Sequence, residues 1–413
     1  MSSVLEQNDG ASTAAGLEGA GAECHVLVSR LPFLDRSRHV WGYEIQVPSG
    51  ESGPSPLAVL LDLGIETLTG GRQALVRLQD DDLASELPSL LPERAVLVVP
   101  QGGCADGASR AALQAAHKDG RCIVADWRPG GDDAPLSYAS LAHVTLSDVG
   151  TEDLAAVVKD LARRGVEVAV SGVDDVEDKH RAQEAGCTLF AGRWVSRPEI
   201  VEGRRAPASQ LSILRLLGML NDPETDFAEI EDIVSQDVAL SYRIVRTVNS
   251  ASFALNNQVE TISQAVVMLG LHRLKTWVTL LSLSGVEGKP SELMVTAMLR
   301  AAHCERVARM TGHETPDTLF TAGLFSVLDA LLDLPMWEIL EGLNLSDELS
   351  GALSDGAGEA GSILRCVRAH EEARWDDVEY RSLSVTEIMG SFLESVVWAD
   401  ETLATLDRVD SAD

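Results

Sequence analysis

Basic residues, aromatics and paired cysteines are all scarce in this chain of 413 residues. Lysine and arginine number 33 against 64 aspartates and glutamates, giving a formal net charge of −31. A surface of that sign repels polyanions, so nucleic acid is not an expected partner. The six cysteines, at 24, 104, 122, 187, 304 and 366, contain no Cys-x-x-Cys, which excludes a zinc knuckle and a dithiol redox pair. Reduced, mostly buried thiols are expected instead. No apolar run approaches the ~20 residues of a membrane helix. The N-terminus also lacks a basic segment followed by an apolar core. Membrane insertion is therefore not expected, and a cytoplasmic location is. None of the nine histidines precedes an aspartate, and no Gly-x-x-x-x-Gly-Lys-Ser/Thr occurs, so neither a His-Asp metal pair nor a P-loop is available.

The chain does have apolar material, 45% of its residues, over a length sufficient for two domains. Residues 1–23 are mostly small and polar and have little to bury, so a mobile tail is expected, with order beginning near Cys24. Short β-branched runs then recur at 25–29, 41–46, 74–78, 95–99, 122–126, 143–147, 166–170 and 188–191. Helical stretches at 57–69, 108–119, 151–164 and 175–185 separate most of them. Strands that are continuously apolar are buried on both faces, which points to a parallel (β/α) barrel, an open flavodoxin-like sheet being the alternative. The available stretch is short for eight βα units, so trimmed helices or an irregular barrel are expected.

In such a barrel the chemistry sits at the C-terminal strand ends. Those ends supply Glu44, Arg77, Val98, Asp126 with Trp127, Leu146 with Asp148, Ser171 and Ala191. A two-metal hydrolytic site needs several oxygen ligands. Only Glu44, Asp126 and Asp148 offer them, and Arg77 adds a positive charge. We read the three acids as hydrogen-bonded structural carboxylates, the alternative being a surviving magnesium site.

The segments Ser-Arg-Leu-Pro-Phe-Leu-Asp at 29–35, Gly-Tyr-Glu-Ile-Gln at 42–46 and Leu-Phe-Ala-Gly-Arg-Trp-Val-Ser-Arg-Pro-Glu-Ile at 189–200 make residues 25–200 resemble an EAL domain, the cyclic-di-GMP phosphodiesterase barrel. The resemblance implies a TIM-like fold and a dinuclear metal site, and its motifs show what has changed. The Glu-Ala-Leu-Leu-Arg signature falls on Glu44-Ile45-Gln46-Val47-Pro48, which keeps the metal-binding Glu and loses the phosphate-binding Arg. The family's metal-ligand Asn falls on Arg77 and its next Glu on Val98. Its Asp-Asp-Phe is reduced to Asp126-Trp127, and its Lys-x-Asp becomes Leu146-Ser147-Asp148. A further Glu falls on Ser171, the late Gln falls on Ala191, and Asp174 conservatively replaces one acid. On this alignment the dinuclear site cannot assemble, and cyclic-di-GMP binding is not expected.

After Arg197-Pro198 the strand-like runs stop, and Arg204-Arg205-Ala206-Pro207 reads as a hinge. Apolar residues at helical spacing mark 209–220, 237–248, 262–269 and 271–284, with Asp226 or Thr225 and then Thr261 as candidate caps. The blocks 233–240, 243–251 and 262–270 resemble, in order, the HDOD domain, a relative of HD phosphohydrolases without the metal site. Where an active relative carries its His-Asp pair, this chain has Ala322-Gly323-Leu324-Phe325-Ser326-Val327. His303, Cys304, Glu305, His313, His370 and Asp329 are scattered and read as buried or surface groups. Trp337, Trp375 and Trp398 read as core packing, or else as interface anchors.

The expected fold class is α/β plus all-α, an EAL–HDOD tandem in which a degenerate (β/α) TIM-like EAL barrel precedes an α-helical HDOD domain. The expected division is a disordered tail at 1–23, the barrel at 24–202, the HDOD domain with a helical extension at 203–398, and an acidic tail at 399–413. With both metal sites lost, the expected function is a non-enzymatic signal-transduction protein, a scaffold for regulatory protein partners. No catalytic, metal or cofactor-binding residue is assigned, no cofactor is expected, and a homodimer is left open. The alternative is a cyclic-di-GMP receptor or weak phosphodiesterase using the barrel.

Overall fold

The computed structural model describes residues 26–48 and 56–410, except 84, 86, 201–206, 223, 224, 226, 251–258 and 287. The expected N-terminal tail, Cys24, most of the 204–207 hinge, the Asp226 cap and residues 411–413 lie outside the described residues. Eight strands close into one barrel in sequence order. They are β1 (Ser29–Asp35), β2 (Val40–Gln46), β3 (Gln73–Arg77), β4 (Ala95–Val99), β5 (Ile123–Asp126), β6 (Leu141–Thr145), β7 (Glu167–Ser171) and β8 (Leu189–Phe190).

The all-parallel expectation fails at one strand. β1 runs antiparallel to both β2 and β8, and it covers 29–35 rather than 25–29. No helix separates β1 from β2. A tight turn does, closed by the His39 amide donating to the Asp35 carboxylate and by Arg38 at φ 67°. A turn that short can only reverse the chain, whereas a parallel pair needs a long crossover.

The remaining strands are parallel, and both of their faces are buried. Phe33, Leu75, Val96, Val98, Val124, Leu141, Ala169, Leu189 and Ala191 fill the barrel. Their neighbours Ala74, Val76, Leu97, Ala125, Ala142, Val168 and Val170 face the helices. The connections are short, as expected. The β5–β6 link holds only a 3-10 turn at Ala134–Ser137, and the helix expected over 57–69 breaks at Gly64 (φ 79°) into Pro56–Leu63 and Ile65–Thr69.

The second half is helical throughout. Helices span Ala208–Asn221, Phe227–Gln236, Val238–Val248, Ile262–Leu269 and Leu271–Ser284, close to the expected ranges. Asp237 caps one of them through the Leu240 amide at 2.9 Å, and Thr261 caps another through the Gln264 amide at 3.2 Å. Helix Ser291–Met310 is the core of the remainder, packed by Pro316–Phe325, Gly358–Glu371 and Val385–Asp410. Gly323 permits the closest crossing, since a Cβ there would lie 2.6 Å from Ala301 Cα.

The acidic tail expected from 399 is instead the end of helix Val385–Asp410. Val396, Ala399 and Leu406 keep an apolar stripe at helical spacing and are buried, while the acidic residues occupy the other faces. Asp400 turns inward to bind Arg30 at 3.2 Å.

That ion pair belongs to a buried seam between barrel and helices. Arg30 also donates to the Leu68 carbonyl at 2.9 Å and lies 4.5 Å from the centre of the Tyr43 ring. Tyr43 donates its hydroxyl to Glu292 at 2.7 Å, at the start of helix Ser291–Met310. Nearby, Ser29 donates to the Glu371 carbonyl and His370 to the Val28 carbonyl, each at 2.9 Å.

Burial raises the Glu292 pKa from 4.5 to about 7, against the charge of Arg30 and the hydrogen bond from Tyr43. The folded chain therefore holds a proton here that the unfolded chain has released. This contribution to stability is full below pH 4.5 and is lost as pH rises through about 7. Glu292→Gln should exceed the wild type in unfolding free energy at pH 8, by up to about 3 kcal/mol, and the gap should close by about pH 5. Chemical denaturation at the two pH values checks this, and a pH-independent difference would contradict it.

Candidate functional site

The side chains that alternate into the barrel turn polar at its C-terminal end. Beyond Leu75 on β3 comes Arg77, beyond Val124 on β5 comes Asp126, beyond Leu141 on β6 comes His143, and beyond Ala169 on β7 comes Ser171. Glu44, level with Leu75 in the sheet, completes the ring from β2.

These five groups form one connected network. Arg77 Nη2 donates to Glu44 Oε1 at 2.8 Å, and Arg77 Nη1 to Asp126 Oδ2 at 2.6 Å. Asp126 Oδ1 lies 3.0 Å from His143 Nδ1, and His143 Nε2 lies 2.8 Å from Ser171 Oγ. Arg77 Nη2 also lies 3.2 Å from His143 Nδ1, so that nitrogen faces both a carboxylate and a guanidinium while Nε2 pairs with the Ser171 hydroxyl. Phe33 meets the imidazole edge-on, 5.8 Å between ring centres.

Glu44 and His143 are almost fully buried, while the Arg77 side chain is 36% exposed and is the member of the network open to the mouth. Burial opposes the Arg77 charge, but Glu44 and Asp126 more than offset it and raise its pKa. Burial likewise opposes ionisation of Asp126, yet the hydrogen bond with His143 and the charge of Arg77 hold its carboxyl below the usual range.

The sequence pointed to some of these residues and not to others. Glu44, Arg77, Asp126 and Ser171 converge as strand-end residues. Asp148 does not join Glu44 and Asp126. It lies on the short helix Leu146–Val149 and pairs with Arg128 at 3.3 Å. Trp127 donates to Asp133, Asp174 pairs with Arg193, and Val98 and Ala191 fill the barrel. His143 was missed because its strand runs over 141–145, two residues earlier than expected. Its place two residues after Leu141 is the signal that identifies it as inward-facing.

The dinuclear metal site that the EAL resemblance implies does not fit these residues. A guanidinium occupies the centre of the acidic pair and already balances its charge. Among the described residues no group of three or more His, Cys, Asp or Glu side chains could hold a metal ion.

In the helical domain the candidate histidines also fail to converge on a ligand set. His303 and His370 pack edge-to-face, 5.4 Å between ring centres, with Phe392 against both. His313 lies 3.5 Å from Glu348, Glu305 pairs with Arg309, and Asp329 accepts from the Ala330 amide. Ser326, which stands where the His-Asp pair would begin, accepts from the buried Arg300 at 2.7 Å. Arg300 in turn makes a forked ion pair with Glu371, its shortest contact 2.7 Å. Of the three tryptophans, Trp398 packs on Phe320 and Trp375 on His370, whereas Trp337 is exposed.

A cavity of about 460 Å³ lies between the barrel rim and the helices, and none of the five network residues lines it. Leu31, Gln46 and Arg193 line it from the barrel, and Glu292, Arg300 and Glu371 from the helices. Among the described residues no helix is long and apolar enough to cross a membrane.

Comparison with known proteins agrees with this architecture. The HDOD domain family matches residues 207–334. A Vibrio cholerae protein named cyclic di-GMP phosphodiesterase CdgJ is 27% identical over 399 residues, covering 91% of this chain and 92% of its own length. The uncharacterized protein YuxH of Bacillus subtilis is 25% identical over 399 residues, covering 90% and 98%. Among solved structures, a calcium and cyclic-di-GMP complex of Klebsiella pneumoniae BlrP1 is 18% identical with a TM-score of 0.35, covering 43% of this chain and 56% of that one. The EAL domain of Mycobacterium smegmatis DcpA is 15% identical with a TM-score of 0.34, covering 40% and 90%.

These relatives correct one expectation. The non-enzyme reading is overturned by the Vibrio cholerae protein, which carries a phosphodiesterase name and is similar across both domains. That reading counted missing metal ligands strand by strand and so treated Arg77 and Ser171 as losses, whereas both belong to a connected polar site. Residues 207–334 are an HDOD domain, and the chain is a tandem of an EAL-like barrel and that domain.

Proposed function

We propose that this chain works in cyclic-di-GMP signalling as a phosphodiesterase-type protein that takes the cyclic dinucleotide at the C-terminal mouth of its barrel. The observation that carries this reading is the similarity to a named cyclic di-GMP phosphodiesterase over nearly the whole of both chains. The mouth supplies compatible chemistry. Arg77 Nη2 donates to Glu44 and also lies 3.2 Å from His143 Nδ1, and Nη1 donates to Asp126, which leaves the second N–H of Nη1 for a phosphodiester oxygen. It thereby offers the guanidinium that Pro48 does not.

In hydrolysis a water oxygen bonds to phosphorus, the bond from phosphorus to the 3′ oxygen breaks, the proton taken from the water passes to that 3′ oxygen as a hydroxyl, and a linear dinucleotide leaves. On this chain's side, Arg77 would balance charge on the phosphoryl oxygens, and the carboxylates of Glu44 and Asp126 are the groups placed to accept the water's proton. The HDOD helices are the proposed output, through which regulatory protein partners read the state of the mouth. Support comes from the seam, where the Ser29 hydroxyl and the Val28 carbonyl of the barrel bond directly to Glu371 and His370 of helix Gly358–Glu371. A cytoplasmic setting is supported by Cys104, Cys122, Cys187, Cys304 and Cys366, all free thiols.

Calorimetry of the full chain with cyclic-di-GMP, with and without Mn²⁺, tests the reading, alongside chromatographic detection of the linear dinucleotide. We expect binding and product formation, with affinity falling about tenfold or more in Arg77→Ala. Arg77→Lys keeps the charge without the planar fork and should lie between the two. A folded wild-type protein showing neither binding nor product would overturn the proposal.

A further inference from the structure

On the far side of Ser326 from Arg300 lies a second cavity of about 220 Å³, where the end of the barrel meets the helical domain. Arg197 reaches it from the segment after β8, and Arg365 and Arg368 reach it from helix Gly358–Glu371. Asp329 is the carboxylate on its wall.

The pairing of these groups is unusual for so acidic a chain. At the barrel mouth the cations are matched, Arg193 by Asp174 and Arg300 by Glu371. In the second cavity Arg365 is held by the Gly356 carbonyl and the Ser362 hydroxyl, neither of which is an anion. Arg197 and Arg368 have no side-chain hydrogen bond or ion pair among the described residues. Asp329 attracts both of them from the wall without a close contact, so three guanidiniums share one carboxylate on this cavity.

A Cβ at Gly361 would lie 2.1 Å from the Gly356 backbone, so two glycines let the 354–358 turn close against the helix and present the Gly356 carbonyl to Arg365. This fixes one guanidinium of the three in place.

We propose that this cavity is a binding site for a small phosphate-bearing anion, held by Arg368 and Arg197 with Arg365 at its rim. A phosphate monoester suits three guanidiniums on one cavity better than a carboxylate does, because it has three terminal oxygens and up to two charges to share among them. The volume holds a phosphate with a small attached group, and no residue of the Arg77 network lines it. The site is thus distinct in place and in ligand size from the proposed dinucleotide site. Burial and the nearby Arg300 lower the Arg368 pKa, against the pull of Glu371, Glu372 and Asp329. A bound anion would relieve that repulsion. Because Ser326 borders both this cavity and the Arg300–Glu371 pair, an anion here would bear on the contact between helix Gly358–Glu371 and the barrel.

The test is calorimetry and thermal unfolding of the full chain with inorganic phosphate and, separately, glycerol phosphate, at constant ionic strength. We expect saturable binding and a raised midpoint. Arg368→Gln should weaken binding by about tenfold or more. The exposed Arg197→Gln, which leaves the packing alone, should weaken it less, and Arg77→Ala should leave it unchanged. Tighter binding of glycerol phosphate than of inorganic phosphate would identify a small phosphate ester as the ligand, and equal binding would identify the free anion. No binding at millimolar phosphate, equal binding by wild type and both cavity variants, or loss of binding in Arg77→Ala would overturn the proposal.

Discussion

Glu44 and Asp126 point into the same end of a closed barrel, and two carboxylates so placed repel each other unless a cation stands between them. Arg77 is that cation. Its planar fork reaches both acids at once, Nη2 at 2.8 Å and Nη1 at 2.6 Å, which the single ammonium of a lysine could not do in one plane. Much of the mouth follows from this contact. Asp126 stays ionised, and the His143 imidazole bridges it to Ser171. Five strands are tied by side chains at the end where the fold places its chemistry. The helical domain repeats the device, with Arg300 joined to Glu371 and Ser326 where a metal-binding relative would have its His-Asp pair. In each domain a guanidinium is held by carboxylate partners from other elements.

The two arginine sites are linked through the seam. Glu371 holds Arg300 with its side chain and accepts Ser29 of β1 with its backbone, and β1 forms a wall of the barrel. The same surface carries Tyr43 on Glu292 and Arg30 on Asp400. Breaking such buried polar contacts one partner at a time costs more than making them gains, so they specify a single docking of helices on barrel more than they stabilise it. A ligand that prefers one docking over another would thereby shift the helical surface, and only by as much as its affinities for the two differ.

Much of this was legible in the sequence, and the gaps have physical causes. The runs 95–99 and 123–126 are apolar at every position that two packed faces require, so β4 and β5 stood out. Helices Ile262–Leu269 and Leu271–Ser284 were legible because a Thr cap and a glycine bracket them. The direction of β1 was not, since chain reversal depends on the turn after Asp35 and not on the composition of the strand. Helix Val385–Asp410 was cut short because its acidic faces mask a stripe that continues to Leu406. At the mouth, residue types and strand ends identified Glu44, Arg77 and Asp126. What they form together was invisible, because an arginine falling on a ligand position looks like damage until its distances to both acids are known. The partner contacts of Arg300 and Arg30 span 71 and 370 positions, beyond any local pattern.

The account rests on Arg77 and Asp126 acting as a unit, and a double-mutant cycle measures that directly. Arg77→Met, Asp126→Asn and the double variant would be compared with wild type in unfolding free energy by urea denaturation. The account predicts that the two single losses are not additive, with a coupling energy of about 1–3 kcal/mol. A coupling within about 0.3 kcal/mol of zero would mean that the guanidinium and the carboxylate are neighbours without being partners, and would contradict it.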